Sequence, residues 1–218
     1  MDTLAAACSE SPDKIETLYL DLVNLQLGAD NIPIVDERTV SLERLASPFL
    51  IFSNLKKVSL WCRAFELVAK DDDFVALSRS WRGLQKFVLC QGYKSSARGG
   101  TYVFPTQDVL MIFSDNCPDL QSLTLPYLYL DVDISTPLAR NALSTHRLTH
   151  LVIEDSPWAN DEDMDETNID MWARYIHGLF PMLSVGSLES LRSPENVFLA
   201  KDWEKVLERV RDISEPFI

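Results

Sequence analysis

Ser53 and Lys56 are the first residues whose types and spacing could carry chemistry, because some acyl-transfer enzymes place a serine nucleophile three residues before a lysine. No Lys-Thr-Gly segment accompanies the pair, and the chain has no Gly-x-Ser-x-Gly, phosphate-loop or Gly-x-Gly-x-x-Gly pattern. The Arg98-Gly99-Gly100 stretch is polar and predicts a plain loop. The sequence therefore predicts no enzyme, no catalytic residue and no cofactor.

The histidines predict no metal site. His146 and His150 are four residues apart, a spacing that brings two ligands together only on a helix, and this span runs into a predicted strand. Both are therefore expected at the surface. His177 lies outside the apolar stripe of its predicted helix and is expected to face solvent.

The most acidic part of the chain runs from residue 154 to residue 170, with eight acids and no Lys or Arg. Asp161, Asp163 and Asp165 alternate like the start of an EF-hand calcium loop, but Glu166 stands where that loop needs Gly and Trp172 where it needs Glu. A solvated loop is favoured, and a docking site for a basic partner and a calcium site remain open.

Trp158 lies within this acidic run and is a possible loop contact, because an aromatic beside charged residues can anchor an interface. The alternative is that it packs on the edge of the fold.

The cysteines and the N-terminus indicate a compartment. Cys8, Cys62, Cys90 and Cys117 form no Cys-x-x-Cys pair and match no zinc spacing, so buried free thiols in a reducing compartment are predicted. The first residues lack a basic region and a long apolar run, and no stretch of about 18 apolar residues occurs. An intracellular protein, cytoplasmic or nuclear, is expected, with no membrane partner.

The charge balance excludes one class of partner. The 33 acids and 20 Lys and Arg residues give a net charge of −13. Nucleic-acid binding depends on Lys and Arg that displace counterions from phosphates, so no nucleic acid is expected.

An apolar-x-x-apolar-x-apolar pattern occurs five times, and its first positions are 40, 29, 36 and 28 residues apart. The last two apolar positions of each copy alternate, which indicates a short half-buried strand. A sixth, degraded copy may span residues 183–188. The five copies are Ile15, Leu18, Leu20; Leu55, Val58, Leu60; Leu84, Phe87, Leu89; Leu120, Leu123, Leu125; and Leu148, Leu151, Ile153.

Segments with helical spacing lie between the predicted strands. Helices are predicted after Asp71–Asp73, after Thr106, after Thr136 and after Asn168, each beginning with acids or with an N-capping residue. A final helix over 200–213 is predicted to cap the end of the stack, whereas residues 1–14 are expected to be flexible.

These observations predict an α/β fold made of one domain over residues 1–218. Parallel strands joined by helices give right-handed crossovers, and the units would stack as a leucine-rich-repeat-like solenoid. Its curved parallel sheet would carry helices on the convex side, with irregular repeats of about 28–40 residues, which is longer than usual.

The stretches 52–60, 72–81 and 116–125, with Leu179-Phe180-Pro181 and the Trp203 helix, resemble the leucine-rich-repeat region of fungal, basidiomycete-type F-box proteins. The resemblance covers residues 50–211. It implies a non-catalytic module that recognises substrates for a cullin ubiquitin ligase. No F-box-like Leu-Pro-x-Glu-Ile segment is present, so a Skp-type adaptor would require an F-box upstream, and a free-standing scaffold is the alternative.

Side chains between the apolar strand positions are expected on the concave face, where they would bind a protein target. Parallel strands would bring Lys56, Lys57 and Lys86 together into a basic spot that could meet acidic or phosphorylated residues. The predicted contact residues are Tyr19, Lys56, Lys57, Ser59, Gln85, Lys86, Gln121, Thr124 and His150.

Overall fold

A computed structural model describes seven stretches of the chain: residues 14–22, 39–63, 66–91, 104–129, 145–155, 165–183 and 201–214. Within them the chain forms seven strands and five α-helices. The strands are β1 (Thr17–Leu22), β2 (Thr39–Ser41), β3 (Lys57–Cys62), β4 (Glu66–Val68), β5 (Lys86–Gln91), β6 (Ser122–Tyr127) and β7 (His150–Asp155). The helices are α1 (Leu42–Ala46), α2 (Asp71–Ser80), α3 (Asp108–Asn116), α4 (Glu166–Leu179) and α5 (Lys201–Ser214).

Five of the strands form one parallel sheet in the order β1-β3-β5-β6-β7. The predicted α/β class is therefore confirmed, with a parallel sheet and helices in the connections. All five predicted apolar patterns fall on these strands or on the turns that lead into them.

The same hydrogen-bond arrangement joins each pair of neighbouring strands at its start. The carbonyl oxygen of the residue before one strand accepts from two backbone N–H groups, that of the residue before the next strand and that of the next strand's first residue. Glu16 accepts from Lys56 and Lys57 at 2.8 and 3.0 Å, and Lys56 in turn accepts from Gln85 and Lys86 at 2.7 and 2.9 Å. Because this contact also occurs at Gln85 and Gln121, all five strands start in matching register.

Three helices end in tight turns of one kind before the chain continues. Trp81 donates its backbone N–H to Leu77 at 2.9 Å, and its carbonyl oxygen accepts from Leu84 at 3.0 Å. Cys117 and Phe180 occupy the equivalent positions after α3 and α4. The two turn residues that follow each of them include Gly83, Pro118 or Pro181, which suit a sharp stop after a helix.

The core lies on one face of the sheet, between alternate strand residues and the apolar stripes of the helices. Phe87 on β5 is fully buried against Phe74 of α2 and Phe113 of α3, with ring centroids 6.5 and 5.4 Å away. Phe74 and Phe113 also meet edge to face at 6.0 Å. This aromatic trio, defined as Phe74, Phe87 and Phe113, holds two helices on the central strand.

The predicted helix starts are close to those observed. Helix α2 begins at Asp71, and Thr106 accepts from the backbone N–H of Asp108 at 3.2 Å where α3 begins. Helix α4 begins earlier than predicted, because Asp165 rather than Asn168 is its N-cap and accepts from the Asn168 N–H at 2.7 Å. The helix expected after Thr136 lies outside the described residues.

The predicted C-terminal helix is present and packs on α4. It buries Trp203, Val206, Leu207 and Val210, and Arg209 on its flank pairs with Asp170 at 2.8 Å. Its role as a cap remains a prediction.

A second, two-stranded sheet was not predicted. Strands β2 and β4 pair in parallel over three residues each, and α1 with a short 3-10 turn (Ser47–Phe49) follows β2 directly. Strands of three residues carry too little alternation to be detected in the sequence.

The surface position predicted for His146 is wrong. Its side chain is buried, with Nε2 2.9 Å from the Cys117 carbonyl oxygen and Nδ1 accepting from the Leu148 N–H at 3.1 Å. The ring also meets Phe180 edge to face at 5.0 Å. Because Nδ1 is an acceptor here, the ring is neutral with its proton on Nε2, and burial lowers its pKa below the usual range.

Candidate binding face of the sheet

The side chains that alternate with the buried strand residues form a second face of the sheet, which we call the open face. It has three rows, and the first two contain one residue from every strand. From β1 to β7 the first row is Thr17, Lys57, Lys86, Ser122 and His150, and the middle row is Tyr19, Ser59, Val88, Thr124 and Val152. The third row is shorter, with Asp21, Trp61 and Cys90 on β1, β3 and β5, and the Glu154 carboxylate of β7 lies near Cys90.

The first row is polar and mostly exposed. Lys57 and Lys86 are direct register partners on β3 and β5, and Ser122 and His150 continue the row on β6 and β7. Neighbouring strands lie about 4.8 Å apart, so adjacent side chains of the row can contact the same ligand group. The structure thus places three of the predicted contact residues, Lys57, Lys86 and His150, in one line.

The middle row is less polar. Tyr19 is the most exposed of its residues at 61%, whereas Val88 and Val152 are buried. The predicted contact residues Ser59 and Thr124 lie between them with half-buried side chains. This row offers a shallow apolar centre with hydroxyl groups.

At the third row a cation–π contact and an ion pair meet, which the sequence reasoning missed. Trp61 is half-buried, and the Arg63 guanidinium lies 5.1 Å from the centroid of its ring. Arg63 also pairs with Asp21 at 3.5 Å, and Asp21 is the register partner of Trp61. The repeated apolar pattern could have predicted this contact. Aligning Leu20 with Leu60 on neighbouring parallel strands places Asp21 beside Trp61.

Cys90 lies in the same row and is buried. Burial, together with the nearby Glu154 carboxylate, raises the pKa of the Cys90 thiol. On the core side, burial raises the pKa of Cys62 and of Cys117 to about 12. These three free thiols are therefore protonated at neutral pH and poor nucleophiles, in agreement with the predicted buried cysteines. Cys8 lies outside the described residues.

Lys56, Gln85 and Gln121 lie just before the strands, where their backbones form the register contacts. The Lys56 ammonium pairs with the Glu16 carboxylate at 2.6 Å. Of the three lysines of the predicted basic spot, Lys56 is therefore neutralised by Glu16. Lys57 and Lys86 have no carboxylate of the described residues within ion-pair distance.

The residues considered for catalysis, Ser53 and Lys56, do not form a nucleophile–base pair. Within the described stretches no hydrogen bond joins Ser53 to Lys56, whose ammonium is held by Glu16. A Ser-Asp-Asn triplet, which accompanies such pairs in some enzymes, lies at residues 114–116 in the last turn of α3. Its Asn116 donates to the Ile112 carbonyl oxygen at 2.9 Å, as a helix-end contact.

A cleft between α1 and α2 is lined by apolar side chains and by the charged residues Glu43, Lys70, Asp72 and Asp73. Asp73 accepts from the backbone N–H of Lys70 at 2.9 Å, and burial raises the pKa of its carboxyl group. This acid therefore serves the start of α2.

No group of three or more metal-ligating side chains occurs in the described ranges, and Trp158 and Asp161 lie outside them. His177 is half-buried, with Nδ1 3.3 Å from the Ser214 hydroxyl. No helix among the described stretches is long and apolar enough to cross a membrane.

A scan against protein-family models finds no match for this chain, and searches of curated proteins and of solved structures find none either. The residues of the open face therefore carry the functional argument.

Proposed function

We propose that this chain is a non-catalytic protein-recognition module that binds its partner through the open face of the five-stranded sheet. The observation that carries the proposal is the row structure of that face: five parallel strands that start in matching register present an exposed polar first row beside a partly buried middle row, with Tyr19 and Trp61 at its β1–β3 side. Such an array offers many adjacent contacts to one extended partner surface.

The finer architecture that we propose is an irregular leucine-rich-repeat-like stack with its helices on the convex side. The strand order that follows the chain, the register contact before each strand and the shared turns at Trp81, Cys117 and Phe180 support it. In this arrangement each strand–turn–helix unit covers the apolar side of the next one, so no unit needs a core of its own.

Partner recognition is favoured over catalysis by the chemistry of the described residues. The buried thiols are protonated, His146 is occupied by backbone groups, and Lys56 is paired with Glu16. A nucleophile needs an adjacent base that can take its proton. At the open face His150 Nδ1 lies 2.8 Å from the Thr149 hydroxyl, but that hydroxyl donates to the Gln121 carbonyl oxygen at 3.1 Å, so the imidazole does not receive its proton.

Substrate recognition for a cullin ubiquitin ligase is the specific role implied by the resemblance to F-box proteins, and a free-standing scaffold is its alternative. Mass spectrometry of proteins that co-purify with the tagged chain separates the two. Recovery of a Skp-type adaptor and a cullin supports the ligase role. Reproducible partners without them support the scaffold.

Removing the aromatic side chains of the open face should weaken partner binding strongly. We expect the double variant Tyr19→Ala/Trp61→Ala to lower affinity for a co-purified partner about 30-fold or more, because Tyr and Trp dominate interface energetics. Tyr19 is exposed and Trp61 is half-buried. Biolayer interferometry with the purified partner measures the change.

The control for this variant is Ile51→Ala/Met182→Ala, which removes two exposed apolar side chains outside the open face, at 55% and 63% exposure. It should keep the affinity within about twofold. Equal loss in both variants, or in neither, would contradict binding through the open face.

A further inference from the structure

Two lysines face each other on the first row of the open face. Lys57 and Lys86 are register partners on adjacent strands, and both side chains are exposed. Among the described residues no carboxylate lies within ion-pair distance of either ammonium group. The neighbouring cations of the sheet differ, since Lys56 pairs with Glu16 and Arg63 with Asp21.

This pairing is unfavourable for the sheet itself. Like charges directly opposite on neighbouring strands destabilise the pair. Lysines are useful at sheet edges, where they prevent further strand pairing, but β3 and β5 are both interior strands. Carboxylates are not scarce in this chain, which has 33 Asp and Glu residues. A carboxylate in this row could therefore have neutralised the two lysines. The pair therefore costs the sheet some stability and leaves two exposed ammonium groups side by side, where they can bind an anion.

The row continues with two further side chains that can donate hydrogen bonds. The Ser122 hydroxyl is on the strand next to Lys86, and His150 follows it on β7. Three strand spacings of about 4.8 Å separate the first and last of these four residues, so the row spans about 14 Å. A single anionic group can be contacted by the two ammonium groups, with the serine hydroxyl as the next donor.

We propose that this anion row, defined as Lys57, Lys86, Ser122 and His150, binds a phosphoserine or phosphothreonine of the partner protein. The inference rests on the proposed function and deepens it, because it states the chemistry of the bound segment. A phosphate group carries nearly two charges and three acceptor oxygens, which match two ammonium groups and a hydroxyl better than one carboxylate does.

The net charge of the chain supports a single compact dianion over a run of acidic residues. At −13 the protein repels a long acidic segment wherever that segment extends beyond the row. Screening limits such repulsion to about 8 Å at physiological ionic strength, so one phosphate placed at the two lysines experiences mainly their field.

The test uses the full chain and three immobilised degenerate peptide libraries that differ only at the central position. One library carries phosphoserine or phosphothreonine there, one carries serine or threonine, and one carries glutamate. We expect the phosphorylated library to retain the protein at least about tenfold better than either other library. The double variant Lys57→Glu/Lys86→Glu should lose this preference.

The matched control is Arg79→Glu/Arg174→Glu, which makes the same change in net charge at two exposed helix positions. It should keep the preference, and thermal unfolding of all variants verifies that they are folded. Equal retention on the three libraries, no retention on the phosphorylated one, or a preference that survives Lys57→Glu/Lys86→Glu would overturn the anion row. Partner binding that depends on Tyr19 and Trp61 in the presence of phosphatase would overturn the phosphate inference but leave the proposed function intact.

Discussion

The variant Phe87→Ala is expected to lower the free energy of unfolding by about 3–5 kcal/mol. The Phe87 ring is fully buried on the central strand and contacts Phe74 and Phe113 of two different helices. Its removal leaves a cavity that neither neighbour can fill without moving its helix. Both the lost burial and the cavity contribute to the loss.

Urea unfolding monitored by circular dichroism measures this change, with Phe87→Leu and Tyr19→Ala as references. Phe87→Leu keeps most of the apolar volume and should cost less than the alanine variant. Tyr19→Ala removes an aromatic ring that is 61% exposed, and it should change stability by no more than about 0.5 kcal/mol. A Phe87→Ala loss as small as that of Tyr19→Ala would show that the aromatic trio does not form the core.

The second large effect is expected at His146, where His146→Leu should cost about 2–4 kcal/mol. The leucine cannot donate to the Cys117 carbonyl oxygen or accept from the Leu148 N–H, so two buried backbone groups lose their partner. His150→Leu is the matched control, because His150 is exposed and should tolerate the change. Equal losses at both positions would contradict the buried role of His146.

The buried imidazole also gives a defined pH dependence. Burial lowers the pKa of His146 in the folded state, so the unfolded chain binds a proton at a higher pH than the folded chain does. Stability is therefore fully present above the unfolded pKa of about 6.5 and falls as the pH drops below it, by at most about 1.4 kcal/mol per pH unit. Urea unfolding between pH 7.5 and 5.5 should show this slope in the native protein and a smaller one in His146→Leu. Equal slopes would contradict the assignment.

The main strands and helices could be predicted because their apolar residues follow regular periods. Leu123 and Leu125 alternate as a half-buried strand requires, and the acids Asp71–Asp73 mark the start of α2. The two-stranded sheet of β2 and β4 could not be predicted in this way, because its strands are too short to show a period.

His146 was misplaced because its surroundings come from distant parts of the chain. The Cys117 carbonyl oxygen and the Phe180 ring that enclose it are brought there by the turns after α3 and α4. In the sequence His146 stands between two polar residues, Thr145 and Arg147, and these neighbours predict a surface position.

The sequence could predict which residues are neighbours on the open face, but it could not predict which of their charges are paired. Parallel pairing sets Lys57 beside Lys86, as the alternation had implied. The sequence could not show that Glu16 neutralises Lys56, because their 40-residue separation is closed only by the pairing of β1 with β3. For the same reason the contact of Arg63 with Asp21 and Trp61 emerged only from the structure.

Site-specific photo-crosslinking tests the central claim, that the open face binds a protein, most directly. A photoreactive amino acid would replace Ser59 at the middle of the open face, and in a separate variant the exposed Ala76 on α2. After irradiation in cells, we expect the Ser59 variant to form a discrete crosslinked band with another protein and the Ala76 variant to form none. Crosslinking from Ala76 with none from Ser59 would contradict that claim.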